Sequence, residues 1–156
     1  MSPSPVRSAL TEPAPKSSRR RRAAAVALGL FLVFAGTSHL SFARGEFRAQ
    51  VPGWVPLNED TVVLLSGIAE IGLGAALAAL PSRRVPVGLA AAAFFIAIFP
   101  GNISQYVTGT DAFGLDSDQA RLIRLFFQPL LVIWALWSTG AWRALRAAFR
   151  ARTSTR

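Results

Sequence analysis

A chain of 156 residues with a formal net charge of +9, 52% apolar side chains and only 16% charged ones is one domain by length and too apolar for a wholly solvated surface. The absence of cysteine excludes disulfides, thiol redox chemistry, zinc sites of the Cys type and cysteine-held haem or iron–sulfur clusters. The single histidine, His39, excludes a histidine-built metal site or bis-histidine haem within one chain, so no metal site is expected.

Residues 1–18 are rich in Pro and Ser without an apolar period, and with the RRRR run at 19–22 they are expected to form a disordered basic tail over 1–22. The next 20 residues, AAAVALGLFLVFAGTSHLSF at 23–42, suffice at about 1.5 Å per residue to cross a hydrocarbon core of roughly 30 Å. A cleavable signal peptide competes for this segment, with Ser41-Phe42-Ala43 as its cleavage site, although the run exceeds the usual apolar core of about 7–15 residues. Three further spans are expected at 60–80, 85–107 and 121–139, set apart by Pro81 to Arg84 and by an acidic, Gly-containing loop. No alternating strand pattern competes, which argues against a membrane β-barrel. The expected fold is therefore all-α, a four-transmembrane-helix bundle over 23–140. A basic amphipathic segment follows at 141–156, where Trp142, Leu145 and Phe149 interleave with Arg143, Arg146 and Arg150; resting on anionic lipid is the first reading, a protein partner the second.

Thirteen of the 17 Lys and Arg residues fall in 1–22, 82–84 and 140–156, whereas six of the eight acids fall in the other segments. The positive-inside rule then places both termini in the cytoplasm and the 43–59 and 108–120 loops outside. Topology thus accounts for the charge, and no nucleic-acid partner is expected. With Phe47, Val51, Trp54 and Val55, the 43–59 loop is expected to lie on the outer interface, anchored by Trp54.

Helical spacing gathers the polar residues of the spans onto inward faces. Val63, Ser66, Gly67, Glu70, Gly74 and Leu77 share one face of the second span, and Gly29, Leu32, Gly36 and His39 share one face of the first. Small residues on these faces let helix backbones approach closely in lipid. The third span aligns Phe95, Phe99, Asn102 and Tyr106, with Pro100-Gly101 expected to kink it. The fourth aligns Arg121, Arg124, Gln128 and Ala135. Counting inward at 1.5 Å per residue puts Glu70 and Gln128 roughly 10–15 Å deep, His39 and Asn102 roughly 5–8 Å, and both arginines at the outer boundary. A buried polar cluster of His39, Glu70, Asn102, Gln128, Arg121 and Arg124, opening outward, is the expected ligand-binding site. The plainer alternatives are interhelical glue for Glu70, Asn102 and Gln128, a structural hydrogen bond for His39, and snorkelling arginines. No catalytic residue is assigned.

Five motifs carry a family resemblance: Gly36-x-x-His39, Val51-Pro52-x-Trp54-Val55-Pro56, Ser66-Gly67-x-x-Glu70-x-x-x-Gly74, Phe99-Pro100-Gly101-Asn102-Ile103 and Arg124-x-x-x-Gln128-Pro129-x-x-x-x-Trp134. In order and spacing over residues 24–139 they resemble the DoxX-like family of small four-helix membrane proteins. Leu40 after the histidine and Gly101 before the asparagine depart from that family's usual Phe and Ala. The resemblance implies a bundle in the bacterial plasma membrane, linked to quinone-coupled oxidoreductases, with His39, Glu70, Asn102 and Gln128 as its polar residues. The expected function is a quinone-associated redox accessory subunit, with quinone held non-covalently and an oxidoreductase subunit or a second copy of the chain as partner. The alternatives are a structural membrane adaptor without catalysis and a small proton-linked transporter.

Overall fold

A computed structural model describes residues 17–153. Six helices follow one another: α1 (Arg19–Leu40), α2 (Arg44–Arg48), α3 (Glu59–Ala79), α4 (Arg84–Thr108, entered through a 3-10 turn at Pro81–Arg83), α5 (Asp118–Thr139) and α6 (Ala141–Thr153). No strand occurs among the described residues. Four of the helices, α1, α3, α4 with its leading turn, and α5, are long and apolar enough to cross a bilayer.

Local chemistry fixes most of the boundaries. Ser18, Asn58 and Ser117 stand in extended conformation before α1, α3 and α5, and each side-chain oxygen accepts a backbone N–H of the first turn. Gly109 and Gly140, at φ of 65° and 80°, end α4 and α5 in the left-handed conformation that glycine adopts without strain.

The Ser18 cap revises one expectation. Arg19 to Arg22 form the first turn of α1 instead of belonging to the tail: Ser18 caps the run and arginine has a high helix propensity, although cations at this end oppose the helix dipole. The remainder of the expected tail, residues 1–16, lies outside the described residues, as do residues 154–156. The short helix α2 inside the 43–59 loop was not anticipated either. Pro100 and Pro129 both sit inside unbroken helices, where each removes one backbone donor.

Helix α1 packs along α3, α4 along α5, and α1 also meets α5, whereas α3 and α4 meet less closely. The α1–α3 seam is interlocked glycine: a Cβ on Gly29 would lie 2.6 Å from the Gly74 carbonyl oxygen, and one on Gly36 would lie 2.5 Å from that of Gly67. The α4–α5 seam depends likewise on Gly88, where any Cβ would overlap the Thr139 side chain. Leu28, Leu32, Leu77, Ala91, Phe95 and Ala135 fill the middle of the bundle. Trp134 ties α5 to α1 through Nε1, which donates to the Ala24 carbonyl at 2.9 Å. Outward, the helices expose Leu30, Leu65, Ile96 and Ile133, an apolar girdle suited to acyl chains and much broader than a soluble monomer carries.

An even number of spans brings the two ends of the transmembrane chain to one side. We refer to that side as the terminal end, where α6 also lies, and to the opposite side, bearing residues 41–58 and 109–117, as the loop end.

Candidate functional site

The loop half of the bundle encloses a cavity of about 540 Å³, lined by all four long helices and by both loops. Its walls are mainly aromatic and aliphatic, including Phe31, Phe34, Phe94, Phe95 and Leu131, and its polar lining includes His39, Glu70, Asn102, Gln128, Arg124 and Gln50. Five of the six residues anticipated from the sequence therefore share one cavity.

Two glycines bring His39 and Glu70 together. Close approach at Gly36 and Gly67 lets the last turns of α1 lie against α3, and His39 Nδ1 then comes 2.8 Å from Glu70 Oε2. Both residues are about 95% buried. The imidazole meets the carboxylate off the line of a hydrogen bond, and neither atom has a hydrogen-bond partner among the described residues. A buried donor or acceptor without a partner costs about 1–3 kcal/mol, so the pair is held by the packing around it. Phe47 of α2 stands edge-on against the imidazole and meets Phe113 of the second loop at a ring separation of 4.6 Å.

Asn102 and Gln128 form a bracket between α4 and α5. Asn102 Nδ2 donates to Gln128 Oε1 at 3.0 Å, and Gln128 Nε2 donates to the Phe95 carbonyl at 2.8 Å. Gln128 is thus engaged at both ends of its amide and serves to orient Asn102.

Arg124 closes the cavity toward the loop end. Its Nη2 donates to Gln50 Oε1 at 2.9 Å, and its guanidinium lies 5.1 Å from the centre of the Phe113 ring. Gln50 Nε2 donates in turn to Gln105 Oε1 at 3.0 Å. One glutamine of the first loop therefore clasps α4 and α5 at once. The loop is pinned at two further points: Glu46 accepts the Phe113 backbone N–H at 2.6 Å, and Arg44 pairs with both carboxylate oxygens of Asp60. The hydrogen bond to Asp60 holds the Arg44 guanidinium above its ordinary pKa, so that pair stays charged.

Arg121 stands apart from the cavity lining. Its guanidinium is buried but bound to Asp111, Asp118 and the Thr110 carbonyl, which secures the second loop to α5. The α4 stripe also differs from expectation. Phe95, Ile98 and Asn102 line the cavity and Gln105 is buried beside them, whereas Tyr106 is exposed. Two stripes share Phe95 and Asn102, and the amide of Gln105 finds partners inside while the Tyr106 ring suits an interface. Gln105 carried a signal in the sequence, an amide three residues after Asn102. Gln50 carried none, because its role depends on how the loop folds back.

The first loop does more than rest on an interface. Phe47, Gln50 and Phe113 roof the loop end, and the cavity extends to exposed Phe34 and Trp54 at its sides. Phe34 lies six residues, roughly 9 Å, before the end of α1, at the depth of acyl chains. The arrangement can bind an amphiphile with its polar part among His39, Glu70 and Asn102 and its apolar part among the phenylalanines, and the His39–Glu70 pair can exchange a proton with it. Among the described residues no three His, Asp or Glu side chains converge as a metal site would need.

Four apolar spans around a polar-lined cavity define a multi-pass membrane protein of the helix-bundle class. More particularly, residues 28–139 match the family described as Domain of unknown function (DUF8561), and the chain belongs to it. No curated protein and no solved structure matches the chain.

Proposed function

We propose that this protein binds a lipid-soluble ring compound of the quinone class in the loop-end cavity and acts as an accessory subunit of a membrane oxidoreductase. The observation that carries the reading is the buried His39–Glu70 pair, 2.8 Å apart and lacking a hydrogen bond, facing an aromatic-walled cavity that extends to the exposed Phe34 on the apolar flank of α1. A ring carbonyl beside His39 or Asn102 gains a donor, and Glu70 supplies an exchangeable proton. Phe94, Phe95 and Phe34 offer faces and edges to the ring and its apolar tail. The chain's own part is to bind and orient; electrons come from a partner oxidoreductase. The DoxX-like motifs support the same reading and a bacterial plasma membrane, and the charge asymmetry supports an orientation with both termini in the cytoplasm.

The test is quinone content. Protein purified in mild detergent is extracted, and the quinone per chain is quantified by chromatography and mass spectrometry. Near-stoichiometric occupancy is expected, falling at least tenfold in a variant combining His39→Ala with Glu70→Gln. Equal occupancy in the two proteins, both verified as folded, would sink the proposal.

A further inference from the structure

Arg121 and Arg124 stand one helical turn apart on α5 and are treated differently by the fold. Arg121 is buried and matched by two carboxylates, those of Asp111 and Asp118. Arg124 is half-buried, lines the cavity, and pairs with no carboxylate among the described residues. Its hydrogen bond goes from Nη2 to the uncharged Gln50 amide at 2.9 Å, and its guanidinium lies 5.1 Å from the centre of the Phe113 ring. The other N–H groups of the guanidinium have no partner among the described residues.

The acids that make contacts around the cavity are committed elsewhere. Asp60 holds Arg44, Glu46 accepts the Phe113 backbone N–H, and Glu70 faces His39. A merely snorkelling cation would reach outward to headgroups. Arg124 instead starts six residues, roughly 9 Å, inside the beginning of α5, and its guanidinium is drawn in against Gln50 and Phe113 of the roof. Phe113 takes a φ of 57° in this position, which residues other than glycine seldom adopt. The second loop is thus locally strained where it faces the cation.

Withdrawing a charge from water is costly unless an opposite charge meets it. None of the described side chains supplies that charge to Arg124; a bound anion does. The rest of the lining is chiefly aromatic and aliphatic, so the anionic oxygen must be carried on an apolar body. A carboxylate-like pair of oxygens suits the planar guanidinium, because both can accept N–H bonds from it at once. We infer that the occupant of the cavity is an acidic ring compound, its ionised oxygen paired with Arg124 and its ring and apolar tail among Phe34, Phe94 and Phe95. The inference rests on the ring-compound reading of the cavity and narrows it to an anionic member of that class.

The test is calorimetric titration of the full chain in phosphatidylcholine nanodiscs, with empty nanodiscs as reference. Two probes are compared: an alkylated hydroxynaphthoquinone, which is a vinylogous carboxylic acid ionised at neutral pH, and its uncharged methyl ether. The parent should bind the acid at least about tenfold more tightly than the ether, the scale of one charge-assisted hydrogen bond. Arg124→Gln should bring the two probes within about twofold of each other by weakening the acid alone, so that retained binding of the ether reports an intact cavity. Arg124→Lys keeps the charge without the planar fork and should retain part of the preference. Gln50→Ala loosens the roof but spares the cation, and should leave the preference in place. Equal binding of acid and ether by the parent would overturn the anionic subsite and leave the ring site standing, whereas binding of neither would overturn both. Full preference in Arg124→Gln, or its loss in Gln50→Ala, would refute Arg124 as the partner of the anion.

Discussion

The two halves of the bundle hold their helices together by different means. Toward the terminal end, α1 meets α3 at Gly29 and Gly74, α4 meets α5 at Gly88 and Thr139, and Leu28, Leu32, Leu77 and Ala135 leave little space between them. Toward the loop end α1 and α3 still meet closely at Gly36 and Gly67, but the bundle as a whole opens to hold about 540 Å³, and the other contacts there are made by polar side chains and folded-back loops. In lipid, apolar surface gains nothing by leaving the solvent, so helices associate through close backbone approach or through polar bonds. The terminal half relies on close approach. The loop half relies on polar groups, and its hydrogen-bonding capacity lies beside a cavity.

The comparison breaks first under an added methyl group. Gly74→Ala places a Cβ into the backbone of α1, which cannot give way as a flexible side chain can; a loss of about 3 kcal/mol is expected, the upper end for overpacking. Gly101→Ala, in the loop half, meets nothing closer than the Gln50 carbonyl at 3.5 Å, and its stability should stay within about 0.5 kcal/mol of the parent. Reversible unfolding in detergent, followed by helicity, measures both. Similar losses for the two variants would mean that the halves are packed alike.

A smaller effect is expected from the buried pair. His39→Leu alone takes away the imidazole 2.8 Å from the buried Glu70 carboxyl, at a cost of about 2 kcal/mol, less than a fully hydrogen-bonded buried pair would lose. Glu70→Leu strands the imidazole in the same way. The combined His39→Leu and Glu70→Leu change should cost less than the sum of the single ones, because it leaves no orphaned group. Strict additivity of the three unfolding free energies would show that the two residues do not interact.

Most of the architecture was legible in the sequence because lipid imposes long, uniformly apolar helices. The four spans lie within a few residues of their expected bounds, and the inward faces of α1 and α3 are the small-residue stripes read from spacing. The site was legible as far as helical geometry carries it. His39, Glu70, Asn102, Gln128 and Arg124 sit on regular helices, where position in sequence fixes direction in space. What spacing could not supply depends on loops. The clasp of Gln50 on Gln105 and Arg124, and the tethering of Arg121 to Asp111, require a backbone path that no periodicity specifies. The part that Phe47 and Gln50 of the first loop and Phe113 of the second take in lining the cavity, as a roof at its loop end, was hidden for the same reason.

The last two predictions concern that roof and separate its inner clasp from its outer rim. Gln50→Ala removes the hydrogen bonds to Gln105 and Arg124 at once. With both partners left inside, the loop should lose about 1.4 kcal/mol of local stability, which appears as a roughly tenfold faster amide exchange across residues 44–57. Arg44→Gln removes a pair with Asp60 that also tethers this loop to the start of α3, but about a third of each side chain is exposed there. Water and salt already screen that pair, so a smaller loss than that of Gln50→Ala is expected, fading further at about 0.5 M salt. Exchange in α3 and α4 should be unchanged by either substitution, since the glycine seams and packed core that hold those helices do not pass through the loop. If Arg44→Gln loosened the loop more than Gln50→Ala, the roof would be held from its rim and not by the clasp within it.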